Sequence, residues 1–232
     1  MMTSHILPIA LLTLLTFQLT YAQNDDDSIK LDSSIVVLNA AVTDSGSKAV
    51  SGLLQKQFRV FEDGVEQEIV SFGTEETPFA AVILLDTSGS MEERVTLARA
   101  AAIQFIDGLR NEDNVAIYNF HSKIKLVQDF SNSRNLREQA FDLKADGMTV
   151  LNDAIYKAAQ LLSTRAEKRR AIIVLSDGAD TQSGRSSDAA LKAAMLANAS
   201  VYTVDMSAMN TSGRDRIQNQ GVLKNFAEKT GG

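Results

Sequence analysis

The longest uninterrupted apolar stretch of the chain outside its N-terminus is Phe79 to Leu85. It is preceded by Glu75-Glu-Thr-Pro78 and ends at Asp86-Thr-Ser-Gly-Ser90. A short apolar run of this kind predicts a strand buried on both faces of a sheet. Downstream the pattern alternates. Val95, Ala98, Ala102, Phe105 and Leu109 follow helical spacing, with Glu92 and Glu93 expected in the first turn, where they complement the helix dipole. Val115 to Phe120 predicts a second buried strand. Lys123 to Phe130 predicts its hairpin partner at a sheet edge, with Lys123 and Lys125 facing solvent. A short helix is expected over Leu136 to Leu143, and Leu151, Ala154, Ile155, Ala158, Leu161 and Leu162 trace one face of another. Strand Ala171 to Leu175, helix Ser187 to Ala199, strand Val201 to Asp205 and helix Val222 to Lys229 complete the series. Strands alternating with helices imply crossover connections. The expected class is therefore α/β, doubly wound, with a mainly parallel sheet, helices on both faces and one antiparallel edge strand.

The N-terminal third reads differently. Ile6 to Leu19 is mostly apolar but short of the roughly 20 residues that a spanning helix needs. With small residues at Thr20 and Ala22, it predicts an export signal over residues 1–22, cleaved near Ala22/Gln23. Its first residues carry no Lys or Arg, so an uncleaved anchor is the alternative. After cleavage nothing in this segment would insert in a membrane, and the mature protein is expected to be secreted, periplasmic or at the cell surface. Residues 23–29, with Asp25-Asp26-Asp27, form an acidic linker. Residues 30–74 alternate in strand fashion, with turns at Asp44-Ser-Gly-Ser47 and Asp63-Gly64 and strands over Ile35 to Ala40, Phe58 to Phe61 and Gln67 to Phe72. They predict a small β module that needs a neighbouring surface to pack on. Glu75-Glu-Thr-Pro78 marks the boundary to a domain over 79–232.

Composition narrows the chemistry. The chain has 232 residues, 44% of them hydrophobic, enough for a real core, and a formal net charge of -6. That acidic balance, with no long basic stretch, argues against nucleic acid as a partner. The absence of cysteine excludes thiolate sites and disulfides, and the two histidines, His5 and His121, leave little for imidazole chemistry. His121 is expected at the surface end of a strand. Arg165 to Arg170 is the one basic cluster and predicts a solvated helix end. No Gly-x-Ser-x-Gly elbow or phosphate loop occurs, and the position two residues after Asp86 is a serine, so an enzyme is not expected.

Asp86, Ser88 and Ser90 stand at i, i+2 and i+4 after a buried strand, so a tight loop turning at Gly89 aims one carboxylate and two hydroxyls at one point. This Asp-x-Ser-x-Ser pattern resembles the metal-ion-dependent adhesion site of the von Willebrand factor type A family. The resemblance covers residues 79 to 230 and extends to exported bacterial members with a short β segment before the domain. In that family a threonine of a later loop and an aspartate after the fourth strand complete the site, and the matching residues are Thr149 in Asp-Gly-Met-Thr and Asp177 in Ser-Asp-Gly. Read by itself, Thr149 is an ordinary helix N-cap. The resemblance implies that the Asp86 and Asp177 strands are neighbours. It also implies that the site takes Mg²⁺, with Ca²⁺ or Mn²⁺ as alternatives, and that a protein partner's Glu or Asp completes the coordination. A domain whose metal only staples loops is the competing reading, with a metal-dependent hydrolase behind it. In the family, one more strand and a closing helix follow the position of Thr230-Gly-Gly232. They are missing here, so the domain is expected to be C-terminally truncated.

Overall fold

The computed structural model describes residues 36, 38, 40, 42–46, 48, 50–73, 77–133, 147–207 and 213–232. The export signal, the acidic linker and the helix expected over Leu136 to Leu143 lie outside the described residues. So do Ile35, Val37 and Asn39 of the first strand expected in the β module.

Five strands form the main sheet: β3 (Phe79–Asp86), β4 (Asn114–Phe120), β5 (Ile124–Ser131), β6 (Arg169–Ser176) and β7 (Ala199–Asp205). Their spatial order is β5-β4-β3-β6-β7, with β3 paired in parallel to β4 and β6, β6 in parallel to β7, and β5 antiparallel at one edge. The expected α/β class, antiparallel edge included, is the class observed.

β3 is central, and its alternate residues feed two cores. Ala81, Ile83 and Leu85 pack with α1 (Val95–Asp107). Ala80, Val82 and Leu84 pack with α2 (Leu151–Ser163), α3 (Ser187–Leu196) and α4 (Gly213–Thr230). Ile83, Leu84 and Leu85 are almost wholly removed from water, each worth about 1.5–3 kcal/mol of transfer free energy. This accounts for the unbroken apolar run, since a strand with helices on both sides has no face left for polar side chains.

The boundaries correct several expectations. Glu92 and Glu93 lie in a turn ahead of α1, which begins at Val95, so they do not occupy its first turn. Leu109 follows the helix but is still buried. α3 ends at Leu196, three residues early, because Ala199 already belongs to β7, while α4 starts at Gly213 rather than near Val222. The basic cluster is not a solvated helix end. Arg170 donates to the Arg165, Glu167 and Ala197 carbonyls, Arg169 donates to that of Thr77, and Arg165 pairs with Glu167 over the Phe130 ring. These arginines fasten the amino end of β6 to its surroundings.

The N-terminal hairpin forms its own two-stranded sheet from β1 (Val60–Glu62) and β2 (Val65–Gln67). Asp63 and Gly64 both have positive φ, as a two-residue hairpin turn requires. β2 spans only Val65–Gln67, so the strand expected over Gln67 to Phe72 is not formed. Phe72 instead sets its ring 5.2 Å from that of Phe58. Among the described residues, no helix is long and apolar enough to cross a membrane.

Candidate metal centre

β3 ends at Asp86 and β6 is followed directly by Asp177, and the two residues reach the same rim. β3 and β6 are direct neighbours in parallel register, Leu85 opposite Leu175, so Asp86 and Asp177 leave the sheet at its carboxyl edge. The chain leaves β3 for α1 on one face and leaves β6 for α3 on the other, so the carboxyl rim between these strands is a topological switch point, where open α/β sheets collect ligands.

Asp86 is fully buried. Its Oδ1 accepts the Ser88 amide at 2.9 Å and its Oδ2 accepts the Ser176 hydroxyl at 2.5 Å. Burial pushes its carboxyl up from 3.8 to about 6, and the charge of Asp177 adds to the rise; the Ser176 and Ser88 hydrogen bonds oppose it. Ser88 and Ser90 turn their hydroxyls to within 3.1 Å of each other, Ser88 buried and Ser90 exposed. The backbone of Thr87 prolongs the β3–β4 pairing by donating to the Phe120 carbonyl, which sets where this loop starts.

Thr149 is buried, and the N-cap of α2 is Val150, so the reading of Thr149 as a simple cap does not hold. Its amide donates to Thr181 Oγ1 at 2.9 Å, and its carbonyl accepts the amides of Thr181 at 3.0 Å and Gln182 at 2.9 Å. Among the described residues its hydroxyl makes no hydrogen bond. Asp177 is 8% exposed and accepts the Ala179 amide on Oδ1. Gly178, at φ +81°, lies so close to the Asn219 carbonyl that a Cβ would stand 2.5 Å from the oxygen.

The structure thus brings together the loops carrying all five expected residues. The Asp86 loop meets the Thr149 loop through Gly89 N–H to Gly147 O at 3.1 Å. It meets the Asp177 loop through Ser176 and Asp86, and the Thr149 and Asp177 loops meet through Thr181. Ser176 was missed in the sequence. It follows an apolar strand as one small hydroxyl, and only the pairing of β3 with β6 aims it at Asp86. His121 directly follows β4, as expected, but it is half-buried, and its Nδ1 is buried without a partner among the described residues.

The donors here are two carboxylates and three hydroxyls, all oxygen, which suits a hard divalent cation and not zinc or copper. Among the described residues there is no cluster of three or more His, Cys, Asp or Glu. An ion at this rim would therefore depend on hydroxyl donors.

Comparison with known proteins agrees with this architecture. Residues 81–179 match the family model of the von Willebrand factor type A domain. An uncharacterized protein of Synechocystis sp., sll0103, is 27% identical over 159 residues, which is 67% of this chain; the chain spans 36% of that relative's length. Among solved structures, an aerotolerance-related membrane protein from Bacteroides fragilis, carrying multiple mutations to serines, is 19% identical at a TM-score of 0.52. That match covers 67% of this chain and 89% of the other. The conserved hypothetical protein BatB from Bacteroides thetaiotaomicron is likewise 19% identical at a TM-score of 0.52, covering 67% and 87%. At such identities the two structures speak for the fold.

Proposed function

We propose, for a chain whose residues 81–179 belong to the von Willebrand factor type A domain family, that the crevice between β3 and β6 is a divalent-cation site of an exported protein-binding module. One observation carries this reading. Asp86 is a wholly buried carboxylate, and among the described residues no Lys, Arg or His pairs with it. A buried charge without a counter-ion costs several kcal/mol, and a cation in the adjacent crevice offsets it.

Asp86, Ser88, Ser90, Thr149 and Asp177 supply the oxygen donors, directly or through water. Mg²⁺ is the ion of choice because it commonly keeps several waters and needs only one or two protein carboxylates; Ca²⁺ and Mn²⁺ accept the same donors. A bound cation contributes one thing, an electrophilic centre that takes a further carboxylate oxygen. Gly89 and Ser90 are exposed, so the solvent side of the crevice is where a partner's Asp or Glu enters. The outcome is binding, not turnover.

The test is a titration of the chain and of Asp86→Ala with MnCl2, followed by capture from a peptide library with and without acidic residues. Wild type should bind Mn²⁺ saturably and retain Asp- or Glu-containing peptides only with metal, while Asp86→Ala does neither. Equal capture in chelator, or by Asp86→Ala, overturns the proposal. A second reading, a domain whose metal only staples its loops, draws on the burial of Asp86, Ser88, Thr149 and Asp177, each at most 8% exposed. Saturable Mn²⁺ binding without any peptide capture selects that reading.

A further inference from the structure

We propose that Thr181 is a positioning residue for Thr149, and that the segment 180–183 locks two of the three ligand loops into one body before any ion arrives. The inference rests on the metal-site reading above and adds residues that touch neither metal nor partner.

α2 begins without a cap of its own. Val150 is the N-cap and provides no side-chain acceptor, yet the first-turn amides of an α-helix need partners. They find them in the Asp177 loop: Asn152 N–H donates to Asp180 Oδ2 at 2.7 Å, and Asp153 N–H donates to Ser183 Oγ at 3.1 Å. The same loop takes both backbone groups of Thr149, with Thr181 Oγ1 accepting its amide and the Thr181 and Gln182 amides donating to its carbonyl. Asp180 in turn is held by Ser183, whose amide donates to Oδ1 at 3.0 Å and whose hydroxyl donates to Oδ2 at 2.6 Å. Asp153 closes the loop from the α2 side by accepting the Gly184 and Arg185 amides.

These bonds give Thr149 a fixed position relative to Asp177. The Thr149 hydroxyl is left with no partner among the described residues while its main chain is immobilised. That division suits a ligand, whose backbone must not move and whose side chain must stay available. By contrast, among the described residues the loop from Asp86 to Ser90 meets the Thr149 loop through one amide-to-carbonyl bond, from Gly89, and the Asp177 loop through the Ser176 hydroxyl on Asp86. Thr149 and Asp177 are therefore preset as a unit by several bonds, and the Asp86 loop joins that unit through fewer. Residues that orient metal ligands typically change affinity about 10- to 100-fold when they are lost.

The experiment compares Mn²⁺ affinity by calorimetry in wild type, Thr181→Val, Thr181→Ser and Asp180→Asn, with urea unfolding of each in chelator. Ser186→Ala, which removes the cap of α3 away from the site, controls for lost stability alone. Thr181→Val should weaken Mn²⁺ about 10-fold or more, Thr181→Ser should restore wild-type affinity, and Ser186→Ala should leave it unchanged. A folded Thr181→Val within twofold of wild type sinks the positioning role, as does an equal loss in Ser186→Ala. If Thr181→Val does not fold, Asp180→Asn decides by the same twofold criterion. Wild type that takes up no Mn²⁺ sinks the metal-site reading instead, so the two failures are separable.

Discussion

Asp86→Asn should stabilise the metal-free protein. The substitution keeps the size of the side chain and its acceptor for the Ser88 amide, and it removes the charge. Burial raises the carboxyl from 3.8 to about 6, so the folded state binds the proton more tightly than the unfolded chain does. The sign follows. Stability of the metal-free wild type falls as pH rises from about 4 to above 6, and protonation restores it on the way down. At about 1.4 kcal/mol per tenfold change in proton affinity, the ionised form costs about 3 kcal/mol at pH 8. Asparagine does not carry that cost. Urea unfolding in chelator should place Asp86→Asn above wild type by about 3 kcal/mol at pH 8, or some 6–12 °C in melting temperature, with the two converging near pH 4. Saturating Mg²⁺ should reverse the order, since an ion at a thousandfold its dissociation constant adds about 4 kcal/mol to wild type and nothing to the variant. A variant equal to or weaker than wild type at pH 8 in chelator would refute the reasoning, because the hydrogen bonds of the carboxylate would then outweigh its desolvation.

Three further outcomes follow from the same geometry. Because Asp86 must be ionised to hold a cation, Mn²⁺ affinity should fall about tenfold for each pH step below 6 and stay level above it, which titrations between pH 5 and 8 will read. Thr149→Val should bind Mn²⁺ more weakly with an almost unchanged urea midpoint, since the hydroxyl has no partner among the described residues and the loop is held by main chain. Gly178→Ala combines φ +81° with a Cβ 2.5 Å from the Asn219 carbonyl, so it should lower stability by about 1–3 kcal/mol in the same denaturation assay.

The strands and helices that touch the core were legible because their spacing is dictated by burial. The run Phe79 to Leu85 has apolar residues throughout, since both faces are covered, and the buried residues of α2 recur every three or four positions for the same reason. Element ends were less legible. Nothing local distinguishes Glu92 and Glu93 inside a helix from the same pair in the turn before it, and the pairing of β7 with β6, not helix propensity, claims Ala199. The site divides in the same way. Asp86, Ser88 and Ser90 are close in sequence and announce themselves. Thr149 and Asp177 were recognised by resemblance, and their meeting needs a sheet to bring them together. Ser176, Asp180, Thr181 and Ser183 carried no signal, because each is one ordinary polar residue whose partner lies 28 to 90 positions away.

The placement of Asp86 ties stability to metal occupancy. Covering β3 on both faces gives the fold its central core, and the same burial extends to the last residue of the strand, where a carboxylate replaces an apolar side chain. Ser176 and the Ser88 amide offset part of the desolvation without cancelling it, since the carboxyl is still raised to about 6. A leucine there would relieve the cost permanently and leave no affinity for a cation. A solvent-exposed aspartate would carry no cost, but it would bind a cation weakly in high dielectric. The observed arrangement lies between these limits: the buried charge disfavours the metal-free state, so filling the crevice adds the relief of that cost to the bond itself. On this logic the protein should be measurably less stable in chelator than in Mg²⁺. The difference should vanish in Asp86→Asn and survive in Thr181→Ser.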